Sequence, residues 1–109
     1  MVARTKHFEV GTKAAVELFK ANGKTVKIGF IRYYNADSTD HTLTLTLESA
    51  DGSVSEPLDV VPLASNQTEV ITSESYPIYV IPPGYVLKAN LDADKTANPV
   101  HITFTFRLE

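Results

Sequence analysis

The sequence has no cysteine and no tryptophan, and its five glycines are dispersed. Without cysteine there is no disulfide, no thiolate metal centre and no thiol nucleophile. Small secreted domains commonly rely on disulfides, so their absence points to assembly inside a cell. No apolar run approaches the ~20 residues needed to cross a bilayer. The opening segment, from Met1 to Phe8, lacks the apolar stretch of a secretory signal. The expectation is a chain made and kept in a cytoplasm, with no membrane partner. Scattered glycines leave no phosphate-cradling loop, and no Gly-x-Ser-x-Gly nucleophile elbow occurs.

What remains is an ordinary globular composition, 43% apolar and 21% charged, over 109 residues. That is one domain, long enough to bury a core unaided. The net charge of −3 is unevenly spread. Residues 1–27 hold six basic and two acidic side chains, a balance of +4; residues 28–109 hold four basic and eleven acidic, a balance of −7. The acidic body repels phosphate, so nucleic acid is not an expected partner. Residues 1–12 carry Arg4 and Lys6 with few apolar side chains, and Val10-Gly11-Thr12 reads as a joint. The sequence thus predicts a basic N-terminal arm over 1–12 and a single domain over 13–109, the arm meeting an acidic partner.

Apolar and polar residues alternate with period 2 through most of the chain, the pattern of half-buried strands. Leu43, Leu45 and Leu47 alternate with Thr42, Thr44 and Thr46, and Ile102, Phe104 and Phe106 with His101, Thr103 and Thr105. These leucines and phenylalanines are assigned to the core. In the stretch 26–33 the apolar parity switches just after Gly29, which places a bulge or bend there and suggests a strand shared by two sheets. Asp51-Gly52 signals a two-residue type I′ hairpin, setting Ala50 opposite Ser53, Leu45 opposite Leu58 and Leu43 opposite Val60. Polar or proline-rich loops cover 35–40, 82–84 and 92–99. Strands are predicted at about 13–19, 25–34, 41–49, 54–63, 67–72, 76–81, 85–92 and 100–108, the first also compatible with a short helix. About eight short antiparallel strands make an all-β, two-sheet antiparallel β-sandwich, jelly-roll-like.

Candidate chemistry is sparse. His7, His41 and His101 each stand alone in the sequence, without a second ligand at metal-site spacing, and read as surface polar residues. Asp92, Asp94 and Asn98 share a loop but lack the central glycine and closing glutamate of a helix–loop–helix calcium site. Asp37 and Asp40 read as loop residues, and Asn66-Gln67-Thr68, though a glycosylation acceptor pattern, lacks a secretion context. No catalytic centre, metal or cofactor is expected. Half of the aromatic residues are tyrosines. Neighbours Tyr33 and Tyr34 face opposite ways, so at most one lies in the core. Tyrosine facing outward serves protein contacts or sugar stacking. Arg4, Lys6, Tyr34, Tyr76, Tyr79 and Tyr85 are the candidate interface residues.

Two stretches add a likeness. The segment Ile28–Asn35 ends in Tyr33-Tyr34-Asn35 and leads through an Asp/Ser/Thr loop into the strand His41–Leu47. Later, Tyr76 to Ile81 is followed by Pro82-Pro83-Gly84, the strand Tyr85–Leu91 and a closing strand of alternating Thr and Phe. This order resembles small β-sandwich virion proteins of tailed bacteriophages, over about residues 25–108. The resemblance implies a structural role in a capsid decoration, head spike, collar or tail position, with no cofactor, assembled in the host cytoplasm. Its implied partners are other virion proteins and further copies of the chain. A carbohydrate-binding or adhesin module is the alternative.

Overall fold

A computed structural model describes residues 3–72 and 77–109. Among them every regular element is a strand: β1 (Arg4–Val10), β2 (Val16–Lys20), β3 (Val26–Asn35), β4 (His41–Ser49), β5 (Ser55–Leu63), β6 (Thr68–Thr72), β7 (Tyr79–Ile81), β8 (Tyr85–Leu91) and β9 (Val100–Leu108). No helix of the described residues is long and apolar enough to cross a membrane. The strands form two antiparallel sheets, one ordered β1-β9-β3-β6 with β7 also on β3, the other β2-β8-β4-β5. The pairs β4:β5, β3:β6, β2:β8 and β1:β9 are nested about the central β4–β5 connection. A long hairpin rolled up in this way is a jelly roll.

Period-2 alternation places the core between the sheets. Leu43, Leu45, Ile102, Phe104 and Phe106 are buried and Leu47 is half-buried, while the intervening threonines line the outer faces. Tyr33 is fully buried and Tyr34 is not. The rings of Phe8, Phe19, Phe104 and Phe106 meet with centroids 4.8–5.9 Å apart, mostly tilted or edge-on, as ring quadrupoles favour. Leu45→Ala should therefore cost roughly 2–5 kcal/mol in urea unfolding, and Thr44→Ala well under 1. Equal small losses would mean that the alternation does not set the buried face.

The bulge at Gly29 is present: β3 and β9 change register between Ile28 and Phe30. It does not send β3 into a second sheet. Instead the same edge of β3 takes β7 before the bulge and β6 after it.

The hairpin keeps the expected register next to the turn, from Glu48 opposite Ser55 to Thr46 opposite Pro57, and departs from it by one residue beyond. Leu43 faces Val61 and Leu45 faces Asp59, with a shift before Thr46 that leaves Leu58 as the extra residue. The type I′ turn does not form, because only Gly52 has positive φ. The Ser49 carbonyl accepts from Gly52 N–H at 2.9 Å, and Ser49 N–H donates to Val54 O at 2.8 Å, so the loop is four residues long. Asp51 holds this form. Its Oδ1 accepts from the Ser53 N–H and from the Ser49 and Ser53 hydroxyls, which pulls its pKa down to about 2.

Residues 4–12, within the expected arm over 1–12, are not free. β1 pairs with β9 along its whole length, from Arg4 opposite Phe106 to Val10 opposite Val100, and Val10 is fully buried. The expected joint is tied down too. Gly11 O accepts from Lys95 N–H at 2.8 Å, and Thr12 O accepts from Leu91 N–H at 2.9 Å. A Cβ on Gly11 would come within 2.8 Å of the Lys95 side chain, so the small residue suits the close approach.

Candidate functional site

The loops β1–β2, β3–β4, β5–β6 and β8–β9 gather at one end of the sandwich, where three polar side chains are buried: Asn35, Asp37 and His41. Asn35 Nδ2 donates to the carbonyls of Thr39, Leu63 and Ala64, at 3.0, 3.1 and 3.3 Å. Its Oδ1 accepts from Asp37 N–H. Asp37 accepts from the N–H groups of Ser38, Thr96, Ala97 and Asn98, from the Thr39 hydroxyl, and from His41 Nε2 at 2.6 Å. The donors of Thr96, Ala97 and Asn98 belong to the β8–β9 loop, so one carboxylate fastens two loops. The Thr96 N–H is the main cause that holds its pKa well below the carboxylate range, with His41 adding to it.

On the other side of the ring, His41 Nδ1 meets Asp92 Oδ1 at 3.1 Å. Burial disfavours the imidazolium, but the hydrogen bonds and charges of Asp37 and Asp92 outweigh it and raise its pKa. The hydrogen bond from His41 is in turn the main cause that lowers Asp92. Both nitrogens are engaged by carboxylates and the ring is buried, away from any substrate in solvent. The arrangement fastens loops. His41 is thus not the surface polar residue that its sequence context suggested, and Asp37, a loop residue as expected, is buried.

A second cluster lies on the outer face of the larger sheet. β1 runs beside β9, which brings together two histidines 94 positions apart. His7 Nε2 and His101 Nδ1 are 3.1 Å apart, and Glu9 Oε1 is 3.7 Å from the same His101 nitrogen. The His7 ring also contacts Thr103 Oγ1 through Nδ1 at 3.2 Å, and Tyr34 stacks on His101 with an interplanar angle of 24°. The expectation that each histidine stands alone is corrected by strand pairing.

The six candidate interface residues do not converge. Arg4 and Lys6 are on β1, where they line an open groove of about 430 Å³ with Lys20, Glu17, Phe19 and Phe106. The Lys6 ammonium sits 5.6 Å from the Phe19 ring centroid. Tyr34 is on the outer face of the larger sheet, and Tyr85 is half-buried against the core. Tyr79, on β7, donates its hydroxyl to Asp59 of β5 across the opposite side of the sandwich. Burial, followed by the Asp59 carboxylate, pushes its phenol well above the ordinary value. Tyr76 lies outside the described residues.

No protein-family model matches the sequence, and no curated protein does. Among solved structures, the crystal structure of PirA is similar over 93% of this chain and 92% of its own, at 8% identity and a TM-score of 0.53. The Drosophila NLP core, described with pentamer formation and histone binding, aligns over 94% and 97% of the two chains, at 14% identity and a TM-score of 0.49. The first likeness shows a shared sandwich architecture.

Period-2 logic gave access to part of what the sequence reading missed. Thr5, His7 and Glu9 share one face of a strand, as do His101, Thr103 and Thr105 of another. In a jelly roll the first and last strands are neighbours, which predicts that the two rows meet. For Asp37 there was no comparable signal, since a buried loop aspartate looks like a solvated one until its donors are placed.

Proposed function

We propose that this chain is a non-catalytic structural subunit of a multi-copy assembly, of the kind built by the virion proteins it resembles, joined to its neighbours edge to edge. The distribution of charge across the sandwich supports this reading. On the β1–β2 side, Arg4, Lys6 and Lys20, against the single acidic side chain of Glu17, rim a groove floored by Phe19, Phe106 and Leu108. On the opposite side, β5 and β6 carry Glu56, Asp59 and Glu69 and no basic residue. That side also exposes three valines, Val70 and Val80 on the outer face of the larger sheet and Val60 on the outer face of the smaller one. A head-to-tail contact sets basic against acidic and covers the unpaired edges of β1 and β5. Repeated, such a contact closes a ring, and in a particle weak contacts add through avidity. Its partners are then further copies and the capsid, neck or tail proteins of a virion.

Sugar binding would need a tyrosine platform, and Tyr34, Tyr79 and Tyr85 lie on separate surfaces. The assembly reading has a direct test in analytical ultracentrifugation. Larger species should dominate at about 0.1 M salt and dissociate at about 1 M, as the Debye length falls from ~10 to ~3 Å. Arg4→Glu with Lys6→Glu should disperse them, and adding Glu56→Lys should restore them. A monomer at every concentration and salt refutes the edge contact. A chain missing from purified phage particles refutes the virion assignment.

A further inference from the structure

We propose that His7, Glu9 and His101 form a binding site for a divalent transition-metal ion of the zinc class on the outer face of the larger sheet. The three ligand atoms lie within 4.8 Å of one another. Two donors bound at 2.0–2.1 Å to one tetrahedral zinc ion are separated by about 3.3 Å. The observed spacings, 3.1 Å between the imidazole nitrogens and 3.7 Å from His101 Nδ1 to Glu9 Oε1, bracket that distance. The third pair, His7 and Glu9, lies within 4.8 Å, so Glu9 must draw in towards His7 for an ion to be held by all three. Two imidazoles with one carboxylate suit zinc, and not calcium or magnesium, which take oxygen ligands.

The supporting structure is that of a built site. Glu9 lies directly opposite His101, and His7 opposite Thr103 one pleat further along, so two paired strands fix the spacing. The Thr103 hydroxyl can accept a hydrogen from His7 Nδ1, the tautomer that leaves the Nε2 lone pair free for a metal. Stacking on Tyr34 restrains the plane of His101. Three protein ligands leave a fourth position open to solvent, where water completes the tetrahedron. Bound there, the ion bridges the outermost strand β1 to β9 and pins the N-terminal edge of the sheet. This holds whether or not the chain assembles edge to edge.

A hydrogen bond between the two imidazoles satisfies the same nitrogens without an ion, and titration separates the two. Tag-free full-length chain, freed of metal by a chelator, is titrated with zinc chloride at about pH 7.5. Calorimetry should give one equivalent. Imidazole ¹⁵N spectra should show His7 Nε2 and His101 Nδ1 shifting while His41 stays in place. Magnesium and calcium should have no effect. His7→Ala, Glu9→Ala and His101→Ala should each weaken binding at least about tenfold. Zinc should raise the melting temperature of the wild type and not of these variants. Circular dichroism is the folding control, since all three side chains lie outside the core. The proposal is overturned if the wild type binds zinc no more tightly than the His7→Ala/His101→Ala double variant, or if the shifts fall on His41.

Discussion

Replacing His41 by alanine is expected to destabilise the domain by about 3–5 kcal/mol, the usual consequence of removing one partner of a buried ion pair. His41 is 4% accessible, and its ring contacts one carboxylate through each nitrogen. Without it the buried Asp37 carboxylate faces a cavity on one side and loses its only cationic neighbour among the described residues. Asp37→Asn should be at least as damaging, because an amide nitrogen cannot accept from the N–H groups that now converge on both carboxylate oxygens. Urea unfolding followed by circular dichroism measures both. A loss under about 1 kcal/mol for His41→Ala would show that the loops hold together without this node.

The same node sets a pH window. The pKa of His41 is raised from its ordinary 6.5, so its contribution is complete below that value and is lost as pH rises through the higher folded value. Asp37 and Asp92 are lowered from 3.8, so theirs is complete above that value and is lost as pH falls through the folded ones. Melting temperature should therefore plateau between about pH 4 and about pH 6.5. Above it the wild type should decline while His41→Ala shows a flatter alkaline limb. An alkaline limb of the same slope in both would detach this decline from His41.

Strands with strict alternation were legible because both faces of each residue's environment are written into the period. The leucine–threonine strand β4 and the closing strand β9 fall where their patterns put them, and the parity switch at Gly29 marks a real bulge. The Asp51-Gly52 turn was misread because two local chemistries compete there. Glycine next to aspartate favours the mirror-image turn, but the Asp51 carboxylate gathers three donors in the other form, and the register changes by one only further along, at the bulge that leaves Leu58 as the extra residue. β1 was hidden for a different reason. An edge strand is half solvated and tolerates charge, so Arg4, Lys6 and Glu9 disguise a segment whose pairing is complete. The histidine cluster and the Asp37 node depend on contacts more than fifty residues apart, which one-dimensional patterns do not carry.

Removing residues 1–10 should consequently cripple the domain, although their composition suggests a dispensable arm. The deletion takes away Val10, fully buried, and Phe8, whose ring meets Phe19 and Phe104. Burying side chains of this size stabilises by about 1.5–3 kcal/mol each, with half-buried Phe8 at the low end. A loss of about 3–6 kcal/mol is a large share of the roughly 5–15 that holds a domain together. It also strips the hydrogen-bonding partner from β9, leaving a long central strand with alternating Val, Ile and Phe as a bare edge open to aggregation. The truncated chain should express mostly insoluble, or melt far below the intact one. Phe8→Ala separates packing from pairing: it keeps the ladder, should remain soluble and should lose stability through the aromatic cluster, while Thr5→Ala on the opposite face of β1 should change little. A truncated chain as soluble and as stable as the intact protein would mean that β1 lies on the sheet without supporting it.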